Sequence, residues 1–165
     1  LCAKGLEHTK HSLTIDKPAL EELSQWKLAT SMKRTSGEQF GFGEFYADSY
    51  DDFIDHPVEM GDLTIKSFEA CGVTHDIVLS GKHRASMPRL CKDLKAICEY
   101  QINLFGGTAP FERYVFLTTV LGNGFGGLEH RSSTALMCSR KDLPTDMEHE
   151  VNKDYRVYLS LCSHE

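Results

Sequence analysis

The chain has 165 residues, 41% of them hydrophobic and 25% charged, with a formal net charge of −6. That balance is globular and excludes extended disorder, and an acidic chain without a basic stripe does not collect phosphates, which excludes a nucleic-acid surface. No apolar run approaches the ~20 residues needed to span a bilayer, and the opening residues show no signal-peptide core. In chain order, the first half reads as strands: Ser12 to Ile15, Trp26 to Thr30, Phe40 to Tyr46, Asp62 to Phe68 and Val73 to Leu79. Each alternates polar and apolar residues, as half-buried strands of an antiparallel sheet do. The acidic cluster Asp48, Asp51, Asp52 and Asp55 falls on a loop or short turn before His56-Pro57.

The pattern changes near Gly81. Leu90, Leu94, Ile97, Cys98, Gln101 and Leu104 recur every three or four residues, which predicts an amphipathic helix from about Pro88 to Phe105, stopped by Gly106-Gly107. Arg113 to Leu121 is almost continuously apolar and β-branched, as in a buried strand. Asn123 to Gly127 reads as a flexible turn and Ser133 to Cys138 as a second strand. From about Glu148, Val151, Tyr155, Tyr158, Leu159 and Cys162 mark another helix with no stop signal. That missing stop, and a first residue that is Leu rather than Met, predict a piece of a longer protein. The fold class is α+β, with a boundary between Gly81 and Met87. Residues 1–83 are expected to end a β-rich domain, and residues 84–165 to form a helix-strand-strand-helix unit.

None of the six cysteines forms a CxxC pair, and Cys91 and Cys98 share one helix face. They read as reduced core thiols, which favours a cytoplasmic compartment over one that depends on disulfides, with the periplasm left open.

The segment Gly126-Gly127-Leu128-Glu129-His130 can carry chemistry. Paired glycines let a ligand backbone approach closely. On an edge strand such a segment can add a peptide as a further strand, and Glu129 can bind the peptide's ammonium group by a charge-assisted bond. The structural alternative is a glycine-rich hairpin turn followed by a solvated Glu-His pair. Ser163-His164-Glu165 ends the last amphipathic stretch. A His-Glu pair on a helix can open an HExxH zinc motif, in which the Glu polarises the metal-bound water. His149-Glu150 is a second such pair, but Lys153 stands where its second histidine would be needed, so it is not a zinc motif. His8, His11, His56, His75 and His83 are scattered and read as surface or hydrogen-bonded structural residues. Ser132-Ser133 lacks a GxSxG elbow, which excludes a serine hydrolase. No glycine cluster forms GxGxxG or a P-loop, so a nucleotide site has no support.

Together, the run from Phe116 to Leu136, the ending Tyr158 to Glu165, and the segments Tyr50 to Gly61 and Phe105 to Tyr114 resemble the glycyl aminopeptidase-type zinc metallopeptidases. The resemblance extends over about Trp26 to Glu165. It implies a β domain followed by the start of a thermolysin-like catalytic domain, and a peptidase that cleaves next to a free amino terminus. Carried over residue by residue, His164 matches the first zinc ligand and Glu165 the general base. Glu129 matches the carboxylate that receives the substrate amine, and Gly126 and Gly127 the backbone contacts beside it. His130 stands where the larger zinc aminopeptidases carry Asn. The second histidine and the third ligand are not among these residues, so the zinc of the complete enzyme is not expected to be held here, and the 165 residues are expected to be inactive alone. The partner implied is a peptide with a free amino terminus; oligomeric state is not legible. The competing readings are a non-catalytic peptide-binding module and a structural module from a parent that has lost its zinc site.

Overall fold

The computed structural model describes residues 2–147 and 150–165. Leu1, Glu148 and His149 lie outside the described residues, and with them the first His-Glu pair and the expected start of the last helix. The chain divides into two compact units, Leu1–Leu63 and Thr64–Glu165.

The first unit is built from short strands. β1 (His11–Ile15), β4 (Gly43–Ala47) and β3 (Lys33–Arg34) form one antiparallel sheet in that order, and β2 (Lys27–Thr30) pairs antiparallel with β5 (Val58–Gly61). Alternation decides which side chains go inside: Leu28, Met32 and Phe45 are buried, with Leu13, Ile15, Phe42, Phe53 and Val58 against them. Asp51 and Asp52 of the acidic cluster lie in a short helical turn, α1 (Tyr50–Ile54), with Asp48 before it and Asp55 at its C-cap. The Ser49 hydroxyl caps it by accepting from the Asp52 amide. The Asp52 carboxylate accepts from the Asp48 amide and lies 3.5 Å from His56, whose Nδ1 is 2.7 Å from the Ser31 hydroxyl. The cluster therefore organises its own turn.

The second unit is one five-stranded mixed sheet in the order β6-β7-β8-β10-β9 with two helices. β6 (Thr64–Ala70) and β7 (Val73–Ser80) form a hairpin, and β7, β8 (Arg113–Leu121) and β10 (Ser133–Ser139) run parallel. β9 (Phe125–Glu129) returns antiparallel along β10 as the edge strand. Two parallel neighbours need a crossover between them. That role falls to α2 (Met87–Leu104), with Pro88 in its first turn, where the lost N–H costs nothing. α3 (Lys153–His164) begins at the Asn152 cap, which accepts from the Tyr155 amide at 2.8 Å. One face of α2 buries Leu90, Cys91 and Leu94, and one face of α3 buries Tyr155, Tyr158, Leu161 and Cys162, in a single core with Ile77, Leu79, Phe116, Val120 and Leu136.

Three expectations differ from this structure. The hairpin β6–β7, expected in an antiparallel sheet of the first, β-rich segment, forms two strands of the sheet that carries α2 and α3. β7 is an inner strand, buried from His75 to Leu79, and His75 and Asp76 disguise it as half-exposed. Both are paired inside: His75 stacks on Phe68 at 5.1 Å and holds the Val73 carbonyl at 2.9 Å, while Asp76 accepts from Ser67 and Arg113. Secondly, the sheet is mixed rather than antiparallel. Thirdly, Phe125, Gly126 and Gly127 are strand rather than turn, because their backbones pair with Cys138, Met137 and Leu136.

Candidate functional site

The site grows from the edge of the second sheet. β9 and β10 are joined by a tight turn in which the His130 amide donates to the Ser133 carbonyl at 2.9 Å. That turn fixes the register, placing Glu129 opposite Thr134 and Gly127 opposite Leu136. Directly opposed residues of an antiparallel pair project to the same face. Leu136 is part of the core shared with α2 and α3, so Glu129, Gly127 and Thr134 belong to the helix-bearing face. Glu129 is exposed, as are Phe125 and Leu128, and among the described residues no strand neighbours the outer edge of β9 in this sheet.

The carboxyl end of α3 reaches this edge. Glu165 follows the last turn, and its amide donates to the Leu161 carbonyl at 3.1 Å. Its carboxylate fills the space over Gly127, where a Cβ would lie 2.5 Å from the Glu165 carboxyl carbon and 2.9 Å from the Leu136 Cδ2. Only glycine leaves that space free. The other glycine, Gly126, has φ of +152°, a backbone conformation that a side chain would strain. The Thr134 hydroxyl lies 3.4 Å from Glu165 Oε2 and 3.3 Å from the Leu128 carbonyl, so its one proton serves two acceptors. Burial pushes the Tyr114 phenol up, and negative charge on Cys98 and Glu165 adds to the effect.

The structure thus brings Gly127 and Glu165 together and puts Glu129 on the same face through Thr134. His164, one residue earlier on the helix, lies beside residues of α2. It lines a cavity of about 600 Å³ with Ile97, Tyr100, Gln101, Leu104 and Phe105. Among the described residues, no group of three or more His, Cys, Asp or Glu side chains is placed to hold a metal ion. A catalytic zinc takes three protein ligands, so His164 alone does not make a zinc site. Two residues that the sequence reading did not select contribute here. Thr134 touches the Glu165 carboxylate, and Gln101 donates to both the carbonyl and the hydroxyl of Ser163, at 2.6 and 2.9 Å. Gln101 carried a signal: it is an amide on the apolar stripe of α2.

The chain is sheet-rich with few helices, and the proteins it is similar to are peptidases. Residues 1–62 match the model of the peptidase M61 N-terminal domain. The crystal structure of an aminopeptidase N family protein from Idiomarina loihiensis is 51% identical over 98% of this chain, with a TM-score of 0.94; the chain spans 27% of that protein's length. A two-domain M1 zinc metallopeptidase variant, crystallised with L-arginine, matches at 15% identity over 94% of this chain and 32% of its own, and its TM-score of 0.44 is too low to support any comparison of sites. No curated protein matches the chain. No described helix is long and apolar enough to cross a membrane.

Proposed function

We propose that these residues are part of a longer zinc aminopeptidase of the glycyl aminopeptidase type. On this reading residues 1–63 end its amino-terminal β-rich domain and residues 64–165 open its thermolysin-like catalytic domain. The observation that carries the proposal is the seating of the Glu165 carboxylate over Gly127, at the open edge of the sheet that presents Glu129. A peptide adds along β9 by backbone hydrogen bonds, which need no side chain at Gly126 or Gly127. Glu129 receives its ammonium group, a charge-assisted contact that an internal peptide segment cannot make. Glu165, within reach of the same edge, acts as general base toward the attacking water. Bound zinc would supply Lewis acidity toward the scissile carbonyl and lower the pKa of that water. His164 would be one of its ligands, with the others in the remainder of the protein, so the 165 residues alone hold no complete zinc site and are inactive. The six free thiols fit a reducing, cytoplasmic setting.

The test uses the full-length protein with amino-acid p-nitroanilides. The proposal expects hydrolysis of substrates with a free amine, loss of activity with a zinc chelator, recovery with added zinc, and no cleavage of the N-acetylated compounds. Binding of free-amine peptides without any hydrolysis would instead establish the non-catalytic peptide-binding reading.

A further inference from the structure

Two polar side chains from different elements converge on the segment Ser163-His164-Glu165. From α2, the Gln101 amide donates to the Ser163 carbonyl at 2.6 Å and lies 2.9 Å from its hydroxyl. From β10, the Thr134 hydroxyl reaches the Glu165 carboxylate at 3.4 Å. Both positions look misplaced for their elements. Gln101 occupies the stripe that holds Leu90, Leu94 and Ile97 and that opens to solvent at Leu104, and it is half-buried there. Thr134 is fully buried in a strand whose same-face neighbours, Leu136 and Cys138, are apolar. A buried or half-buried polar group costs stability unless a partner takes up its hydrogen bonds. Gln101 finds that partner in these three residues, and Thr134 divides its proton between Glu165 and the Leu128 carbonyl.

We infer that Gln101 and Thr134 form a two-point clamp that positions the His164-Glu165 pair for catalysis. The inference rests on the aminopeptidase reading above and adds two positioning residues to it. The geometry explains the division of labour. Helix ends fray because their last carbonyls lack intrahelical partners. Gln101 supplies an external donor to one such carbonyl, one residue before His164. Thr134 holds the side chain of the next residue, Glu165, against the β9 edge. A general base displaced by about 1 Å can lose about a hundred-fold in rate, so the orientation of that carboxylate is where a clamp would act. The Thr134 proton is shared with the Leu128 carbonyl, which ties the same hydroxyl to the strand carrying Glu129.

The experiment compares Gln101→Met and Thr134→Val, which keep length and shape but remove the donor, with Thr134→Ser, which restores it. Hydrogen–deuterium exchange of the peptide covering Ser160 to Glu165, and steady-state kinetics, are measured in the full-length protein. Faster exchange in that peptide for both donor-less variants is expected, with α3 before Leu159 unchanged. A fall in kcat of about ten-fold is expected for Thr134→Val, the worth of one hydrogen bond to a charged group, and a smaller fall for Gln101→Met, whose bonds go to neutral acceptors, with KM unchanged and Thr134→Ser close to wild type. Unchanged exchange in both variants overturns the clamp, and faster exchange with unchanged kcat overturns its positioning role. If the wild-type protein hydrolyses no aminopeptide, the aminopeptidase reading fails, and the exchange measurement by itself decides whether the clamp exists.

Discussion

Gly127 and Glu165 occupy adjoining space: the carboxylate at the end of α3 sits where any side chain on residue 127 would have to go. The relationship joins two segments 38 positions apart, on an edge strand and a helix end, and it makes residue 127 a point of leverage on the site.

Gly127→Ala should therefore act on both folding and function. The backbone at Gly127 lies outside the left-handed region, so the added methyl brings no φ penalty. It meets Leu136 Cδ2 at 2.9 Å and the Glu165 carboxylate. Crowding of this kind costs about 1–3 kcal/mol, readable as a lowered urea midpoint. Glu165, at the end of its helix, is the group free to yield, so activity of the full-length enzyme should fall by about ten-fold or more, equivalent to about 1.4 kcal/mol of transition-state stabilisation. Unchanged kinetics together with unchanged stability would show that the two residues do not meet.

The second prediction concerns the inner strand β7. The Asp76 carboxyl is 1% exposed and takes its hydrogen bonds from Ser67 Oγ and Arg113 Nε, each at 2.5 Å. Removing one partner of a buried pair leaves a charge without compensation. Because Arg113 is itself partly exposed, Arg113→Met should cost about 2–4 kcal/mol rather than the full range for a buried pair. The double variant Arg113→Met with Asp76→Leu should recover much of the loss. A single variant within experimental error of wild type would contradict the pairing.

Those two buried polar residues also explain where the sequence misleads. The helices, β8 and β10 were legible because their apolar periodicity is strong. The inner position of β7 was not, because His75 and Asp76 make a strand buried from His75 to Leu79 look half-exposed, and Arg113, which pairs with Asp76, is distant in sequence. At the site, glycines, a carboxylate and a His-Glu pair could be read from residue type. The approach of Glu165 to Gly127 could not, since it depends on how α3 crosses the end of the sheet. Gln101 gave a local hint, an amide among leucines, whereas Thr134 gave none: threonine is common in strands.

Alkaline pH should destabilise the second unit through its buried acids. Burial pushes the Cys98 and Cys138 thiols up from 9.0 to about 12, and raises the Tyr155, Tyr158 and Cys162 groups as well. The unfolded chain releases these protons first, so it binds fewer protons than the folded chain above pH 9, and stability falls as pH rises from about 9 toward 12. Burial lowers the His75 and His83 imidazoles below 6.5, so stability should also fall as pH drops below about 6.5, where the unfolded chain takes up protons first. Urea midpoints between pH 5 and pH 11 test both limbs. Cys138→Ala should make the alkaline limb shallower; a flat profile would contradict the burial of these groups.

The most direct test of the central claim is Glu129→Ala in the full-length enzyme, comparing substrates and ligands that differ only in the amino terminus. Glu129 is exposed on β9, so its removal should leave stability near wild type. Loss of a charge-assisted bond of roughly 1.5–3 kcal/mol should lower kcat/KM for free-amine substrates by about ten- to a hundred-fold. Inhibition by the N-acetylated peptides, which cannot make that contact, should change much less. If Glu129→Ala cleaves free-amine substrates as well as wild type does, the edge strand does not select the amino terminus and the account of this site is wrong.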